Sequence, residues 1–168
     1  MKKTAFILLS VILFAGVVAQ AQNRSGNLHI GAGVGYHTEF EKDNTGVVLE
    51  GTYSVLNRLR LSPGILYYFT DTGSDLYDIT FIDLNANVHL LLINRERMRL
   101  YGLAGYNNFR MRVSYDNDST TENESGINLG GGLEFGRRNL MLFGEAKVTT
   151  GDVHDNNIIL HGGIRFKI

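Results

Sequence analysis

The 168-residue chain has no cysteine, which excludes both a disulfide framework and a lipid-modified cysteine behind a leader. Tryptophan is absent and proline occurs once, at Pro63. Beyond Val18 no apolar run approaches the roughly twenty residues that a membrane-spanning helix needs. No sign of charge dominates: the formal net charge is −1, so the basic footprint of a nucleic-acid binder is missing. Glycine (20), tyrosine (8) and phenylalanine (9) are plentiful instead. Low proline with abundant aromatics and glycine suits an antiparallel β protein with aromatic residues at an interface.

The amino terminus has the layout of a secretory leader. Lys2 and Lys3 precede an apolar stretch, Ala5 to Val18, and Ala19-Gln20-Ala21 supplies a small-x-small cleavage pattern. A leader over 1–21 and one mature domain over 22–168 are therefore expected.

The mature chain alternates between apolar and polar residues in eight segments. The last is the cleanest: Leu160, Gly162, Ile164, Phe166 and Ile168 alternate with His161, Gly163, Arg165 and Lys167. That period of two marks a strand with one dry and one wet face. In the first segment Leu28, Ile30, Ala32, Val34 and Tyr36 oppose His29, Gly31, Gly33, Gly35 and His37. Four others set Leu49 and Tyr53 against Glu50 and Thr52, Leu61 and Ile65 against Arg60 and Ser62, Leu129 and Leu133 against Asn128 and Glu134, and Leu142 and Ala146 against Glu145 and Lys147. Segment four sets Leu84, Ala86, Val88 and Leu90 against Asp83, Asn85, Asn87 and His89. Segment five is phased with Tyr101, Leu103, Phe109, Met111 and Val113 on the apolar face, and Tyr106, Asn108, Arg110 and Arg112 opposite. This phasing turns Asn107 toward lipid and predicts a bulge there, and Pro63 predicts another. Tyr77, Ile79 and Phe81 fall out of phase and are expected above the membrane.

The connections alternate in length. Asn57-Arg58, 94–97 and 137–139 are short and rich in arginine, while 41–46, 71–75, 116–125 and 150–157 are longer and polar. Short periplasmic turns and longer external loops are the rule for transmembrane barrels. A soluble barrel reverses the polarity, with apolar residues inside. The charged face here has both signs in similar number, from Glu50, Asp83, Glu134 and Glu145 to Arg110, Arg112, Lys147, Arg165 and Lys167, with His29, His37, His89 and His161 among them. It can neutralise itself inside a narrow barrel as a hydrogen-bonded network. The expected fold is an all-β, eight-stranded antiparallel up-and-down transmembrane β-barrel with lipid outside.

On these eight segments, Tyr101-Gly102-Leu103-Ala104-Gly105-Tyr106 and the terminal Gly163-Ile164-Arg165-Phe166-Lys167-Ile168, the chain resembles the small outer-membrane β-barrels: OmpX-like and opacity-type proteins and the membrane domain of OmpA-like proteins. The resemblance implies a Gram-negative outer membrane, contact with membrane lipid and lipopolysaccharide, and insertion by machinery that reads the carboxy-terminal strand. Many such proteins end in Phe; this chain ends in Ile168. A monomer with a structural or surface-interaction role is expected.

No catalytic, cofactor-binding or metal-ligating residue is predicted. His29 and His37 lie eight apart on one face, roughly 26 Å along a strand, and cannot share a metal. Glu134 and Glu145 are expected to pair with Lys147, Arg165 or Arg112. Gly31-Ala32-Gly33-Val34-Gly35 resembles a dinucleotide fingerprint but no helical pattern follows it. Two alternatives remain. One is a lipid-A-modifying enzyme, for which only His154 with Asp152 or Asp155, or His37 with Glu39, have the residue types required. The other is a narrow, porin-like channel for small solutes. The acidic loop residues Asp71, Asp75, Asp116, Asp118, Glu122, Glu124, Asp152 and Asp155 have oxygen ligands suited to divalent cations, but no ordered spacing, and are expected as solvated loops.

Overall fold

The computed structural model describes residues 26–38, 45–69, 77–115, 118–137, 139–151 and 157–168. The expected leader lies outside these residues, as do Glu39, Asp71, Asp75, Asp116, Asp152, His154 and Asp155. Eight strands follow one another: β1 (Leu28–His37), β2 (Thr45–Ser54), β3 (Leu59–Tyr68), β4 (Tyr77–Asn94), β5 (Met98–Tyr115), β6 (Asp118–Arg137), β7 (Leu140–Gly151) and β8 (Asn157–Lys167). Each pairs antiparallel with the next, and β8 pairs with β1 to close the barrel. Closure removes the unpaired strand edges that an open sheet leaves in lipid.

The ladders are staggered. From Leu28 the partners run through Tyr53, Leu61, Val88, Ala104, Leu129, Val148 and Ile158. The Ile158 carbonyl then accepts from the amide of Thr38, so one circuit climbs ten residues, from Leu28 to Thr38. Such a stagger obliges the strands to tilt. The residues on this circuit are apolar or aromatic and face outward. The wider outer surface exposes large hydrophobic side chains, from Ile30 and Leu49 to Leu142 and Phe166. The inner face carries the charges: Arg60, Asp83, His89, Glu134 and Arg165 are each at most 1% exposed. This polarity, dry outside and charged inside, requires a lipid surround.

Four local expectations are corrected. Tyr101 (1% exposed), Leu103 and Asn107 (3%) point into the lumen, while Ala104, Tyr106, Arg110 and Arg112 are exposed on the outer side. The phase of β5 is therefore the reverse of that predicted. The register of β5 with β6 is unbroken from Met98↔Phe135 to Tyr115↔Asp118, so no bulge lies at Asn107. The irregularity falls between Leu91 and Ile93, near the β4–β5 turn.

Pro63 introduces no bulge either. The β2–β3 ladder omits the two pairs around it and resumes in the same register, because Pro63 has no amide hydrogen to donate. Gly51 occupies the position beside it; a Cβ there would sit 3.9 Å from the proline ring. Finally, 118–125, expected as loop, is the first part of β6 and pairs with 108–115 of β5. β4 runs unbroken from Tyr77, and Phe81, out of phase with the apolar face as expected, is turned inward against Phe109.

Candidate functional site: the lumen and its two rims

Glu134 of β6 is the hub of the lumen. It is fully buried and accepts from Arg60 Nη1 at 2.7 Å, from Arg99 Nη1 at 3.0 Å and from Arg165. Arg165 of β8 also donates to Glu50 of β2 through Nε and to the Tyr101 hydroxyl at 3.1 Å. Tyr101 in turn donates to Glu145 Oε2 at 2.9 Å, and His161 Nε2 lies 3.0 Å from Glu145 Oε1. Three carboxylates (Glu50, Glu134, Glu145) thus face three guanidinium groups (Arg60, Arg99, Arg165). Buried charge is tolerable only when paired and hydrogen-bonded in this way. Tyr101 is clasped between them: His89 stacks on its ring at 4.5 Å and Arg60 lies 5.1 Å from its centroid.

A second tier lies nearer the loop end. Asp83 accepts from Asn107 and lies 3.9 Å from Lys147. Asn128 donates to Asn85 at 2.7 Å and Asn87 at 2.9 Å, and Thr149 donates to Asn128. Above it Val48, Leu66, Tyr68 and Ile159 form an apolar cluster with Phe81 and Phe109 packed on it. His37 joins this cap, edge-on to Tyr68 at 5.8 Å. At the turn end Leu91 and Leu103 pack with Tyr101. The lumen is layered: apolar, charged, amide-rich, then aromatic.

The glycines of β1 serve this filling and not phosphate binding. A Cβ on Gly31 would stand 2.6 Å from Glu50 Oε1 and 3.0 Å from Arg165 Cγ. One on Gly35 would stand 2.8 Å from Leu66 Cδ1. Gly132 of β6 likewise leaves room for the Tyr101 hydroxyl, which a Cβ would meet at 2.4 Å.

Among the described histidines, His89 Nε2 and His161 Nε2 both approach Glu145, at 3.7 and 3.0 Å, while His37 lies in the aromatic cap. His29 is buried with no side-chain partner at either ring nitrogen. Among the described residues the one group with ligand atoms close together is Glu50, Glu145 and His161, within 4.8 Å of one another. Its carboxylates are already engaged by Arg165, Tyr101 and His161, so it is an ion-pair network that a cation would have to break. Glu134 and Glu145 both meet Arg165, as expected. Lys147 goes instead to Asp83 and Asn85, and Arg112 is on the opposite side of its strand. Arg99 was not anticipated and Tyr101 was expected outward; the visible clue was Gly132 on β6, which leaves the space that the Tyr101 side chain of β5 enters.

At the loop end an open recess is lined by His37, Asp83, Asn107, Phe109, Glu124 and Thr149, among others. The other side of the β5–β6 hairpin is basic: Arg110, held by Asn123 at 2.9 Å, and Arg112.

A closed eight-stranded barrel with an apolar exterior and a charge-paired interior defines a transmembrane β-barrel protein. The chain matches the outer membrane protein beta-barrel domain family over residues 6–166 and belongs to it. No match was found among curated proteins. Among solved structures it is similar to the N-terminal β-barrel domain of Pseudomonas aeruginosa OprF, with TM-score 0.69, 12% identity and coverage of 86% of this chain and 98% of that one. It is similar also to Neisserial surface protein A, with TM-score 0.66, 14% identity and coverage of 84% and 97%. The attachment invasion locus protein of Yersinia pestis gives TM-score 0.57 at 20% identity, with coverage of 85% and 100%. At such identities the likeness is one of fold. Family and fold together place the chain in an outer membrane.

Proposed function

We propose that this is a non-enzymatic outer-membrane protein of a Gram-negative cell, acting as a structural or surface-interaction barrel with a filled lumen. In this reading the leader is cleaved after Ala21, the short turns face the periplasm, and the β5–β6 hairpin projects outward. The monomeric barrel is inserted through β8, with Ile168 completing its outward apolar row. Arg110 and Arg112 stand just beyond the lipid-facing residues and suit contact with lipopolysaccharide phosphates.

One observation carries this reading: the arginines and glutamates in the centre of the lumen are consumed by one another. Arg60, Arg99 and Arg165 are bound to Glu134, Glu50 and Tyr101. General acid–base or nucleophilic work needs a group held beside a substrate path. His37, the described member of the two histidine pairs considered for lipid A chemistry, is packed into the aromatic cap at 4% exposure.

Purified protein incubated with lipid A, followed by mass spectrometry, tests this. The expected result is unchanged lipid A, and liposomes carrying the protein should not swell in small sugars faster than empty ones. Ester hydrolysis or acyl transfer that is lost in His37→Ala or His154→Ala would overturn it.

A further inference from the structure

The turn end of the barrel carries an arc of unpaired arginines. Arg58 lies between β2 and β3, Arg95 and Arg97 between β4 and β5, and Arg137 ends β6. All four are exposed, and none forms an ion pair among the described residues. Glu96 is the only carboxylate side chain among the described residues of these turns.

The turns that carry them are tied together. Asn94 Nδ2 donates to the Asn57 carbonyl at 2.8 Å, and the Leu91 amide to the Arg58 carbonyl at 2.8 Å. The Gly136 amide donates to the Arg97 carbonyl at 2.9 Å, and the Lys167 amide to the Asn139 carbonyl at 3.1 Å. The arginines therefore share one level along a contiguous stretch of rim. That level is set against lipid: exposed Val55 precedes Arg58, exposed Leu92 and Leu100 flank the Arg95–Arg97 turn, and exposed Phe135 and Leu140 neighbour Arg137.

We propose that this arc binds anionic phospholipid, taking the phosphodiester of a net-negative diacylglycerol head group such as phosphatidylglycerol. An arginine rooted two or three residues from the last lipid-facing side chain extends into the head-group layer and no farther, with its stem along the apolar edge. A planar guanidinium matches two phosphate oxygens at once, and several cations at one height act together on an anionic surface. The inference rests on the outer-membrane placement and not on the filled lumen, so a conducting barrel would leave it standing.

The test uses full-length mature protein in bilayer nanodiscs of phosphatidylcholine with and without phosphatidylglycerol. Lipid retained on the barrel is read by native mass spectrometry. The wild type should retain phosphatidylglycerol over phosphatidylcholine, and the variant R58Q/R95Q/R97Q/R137Q should lose the preference by roughly fivefold for each arginine removed. The lysine counterpart, R58K/R95K/R97K/R137K, should keep most of it. Formation of the barrel is checked by heat-modifiable gel mobility in pure phosphatidylcholine; should the fourfold glutamine variant not fold, R95Q/R97Q carries the test at smaller effect. Equal retention by wild type and glutamine variant would overturn the proposal. So would displacement of the lipid by inorganic phosphate at matched concentration, which would make the arc a site for free phosphate.

Discussion

The two ends of this barrel are built on different plans. At the turn end the strands stop level with the lipid-facing residues, the turns are tied to neighbouring strands, and the exposed charge is almost all arginine. At the loop end β4, β5 and β6, of 18, 18 and 20 residues, overrun β1, β2 and β3, of 10 each. The overrun makes the β5–β6 hairpin two-faced. Its inward register holds Phe109, Met111, Glu122 and Glu124, and its outward register holds Arg110, Arg112, Asn123 and Ser125. A level, tied rim can meet a flat layer of head groups. A tilted ribbon that leaves the membrane can present one face to lipid and another to the barrel mouth.

Between the ends lies the charged tier, and the largest effect is expected there. Glu134→Gln leaves Arg60, Arg99 and Arg165 facing a neutral group; breaking a buried pair by removing one partner costs about 3–5 kcal/mol. Urea unfolding in phospholipid vesicles measures it, and a loss below that of an ordinary surface change would contradict the hub. Next comes Leu129→Arg, which places a cation among lipid-facing residues and should cost about 2–4 kcal/mol in the same assay. Gly31→Val tests the space for the Arg165–Glu50 contact: overpacking of this sort costs about 1–3 kcal/mol, and Gly51→Val, beside the Pro63 ring and facing lipid, should cost less. Tyr101→Phe strips the hydroxyl that links Arg165 to Glu145, with an expected loss of about 1–3 kcal/mol. At the hairpin Glu122→Gln should change stability by no more than about 0.5 kcal/mol. A large effect there would erase the contrast between tier and rim.

The strand count and the facing of most strands were legible because alternation over five outward positions leaves little choice of register. β5 was not. Its odd residues Tyr101, Leu103, Phe109 and Met111 make a richer apolar stripe than Leu100, Ala104 and Tyr106, so an apolar tally points the wrong way. The lumen is not uniformly polar: it has an aromatic cap and an apolar base, and β5 supplies both. Arg110 and Arg112 face outward at little cost because they lie past the lipid-facing residues of their strand. Two of the three partners of Glu134, Arg60 of β3 and Arg99 of β5, were hidden for another reason. Which residues meet across a barrel depends on a stagger that no single segment encodes, and only Arg165 of β8 was anticipated.

Labelling of single cysteines decides the β5 phase: Tyr106→Cys should react with a lipid-soluble maleimide, and Asn107→Cys should not. The central claim, that the ion-pair tier fills the lumen, is tested most directly by the conductance of purified protein in planar bilayers. No steady open level is expected for the wild type, and openings are expected in Glu134→Gln, where the loosened arginines part. A stable ohmic conductance in the wild type, unchanged by Glu134→Gln, would contradict it.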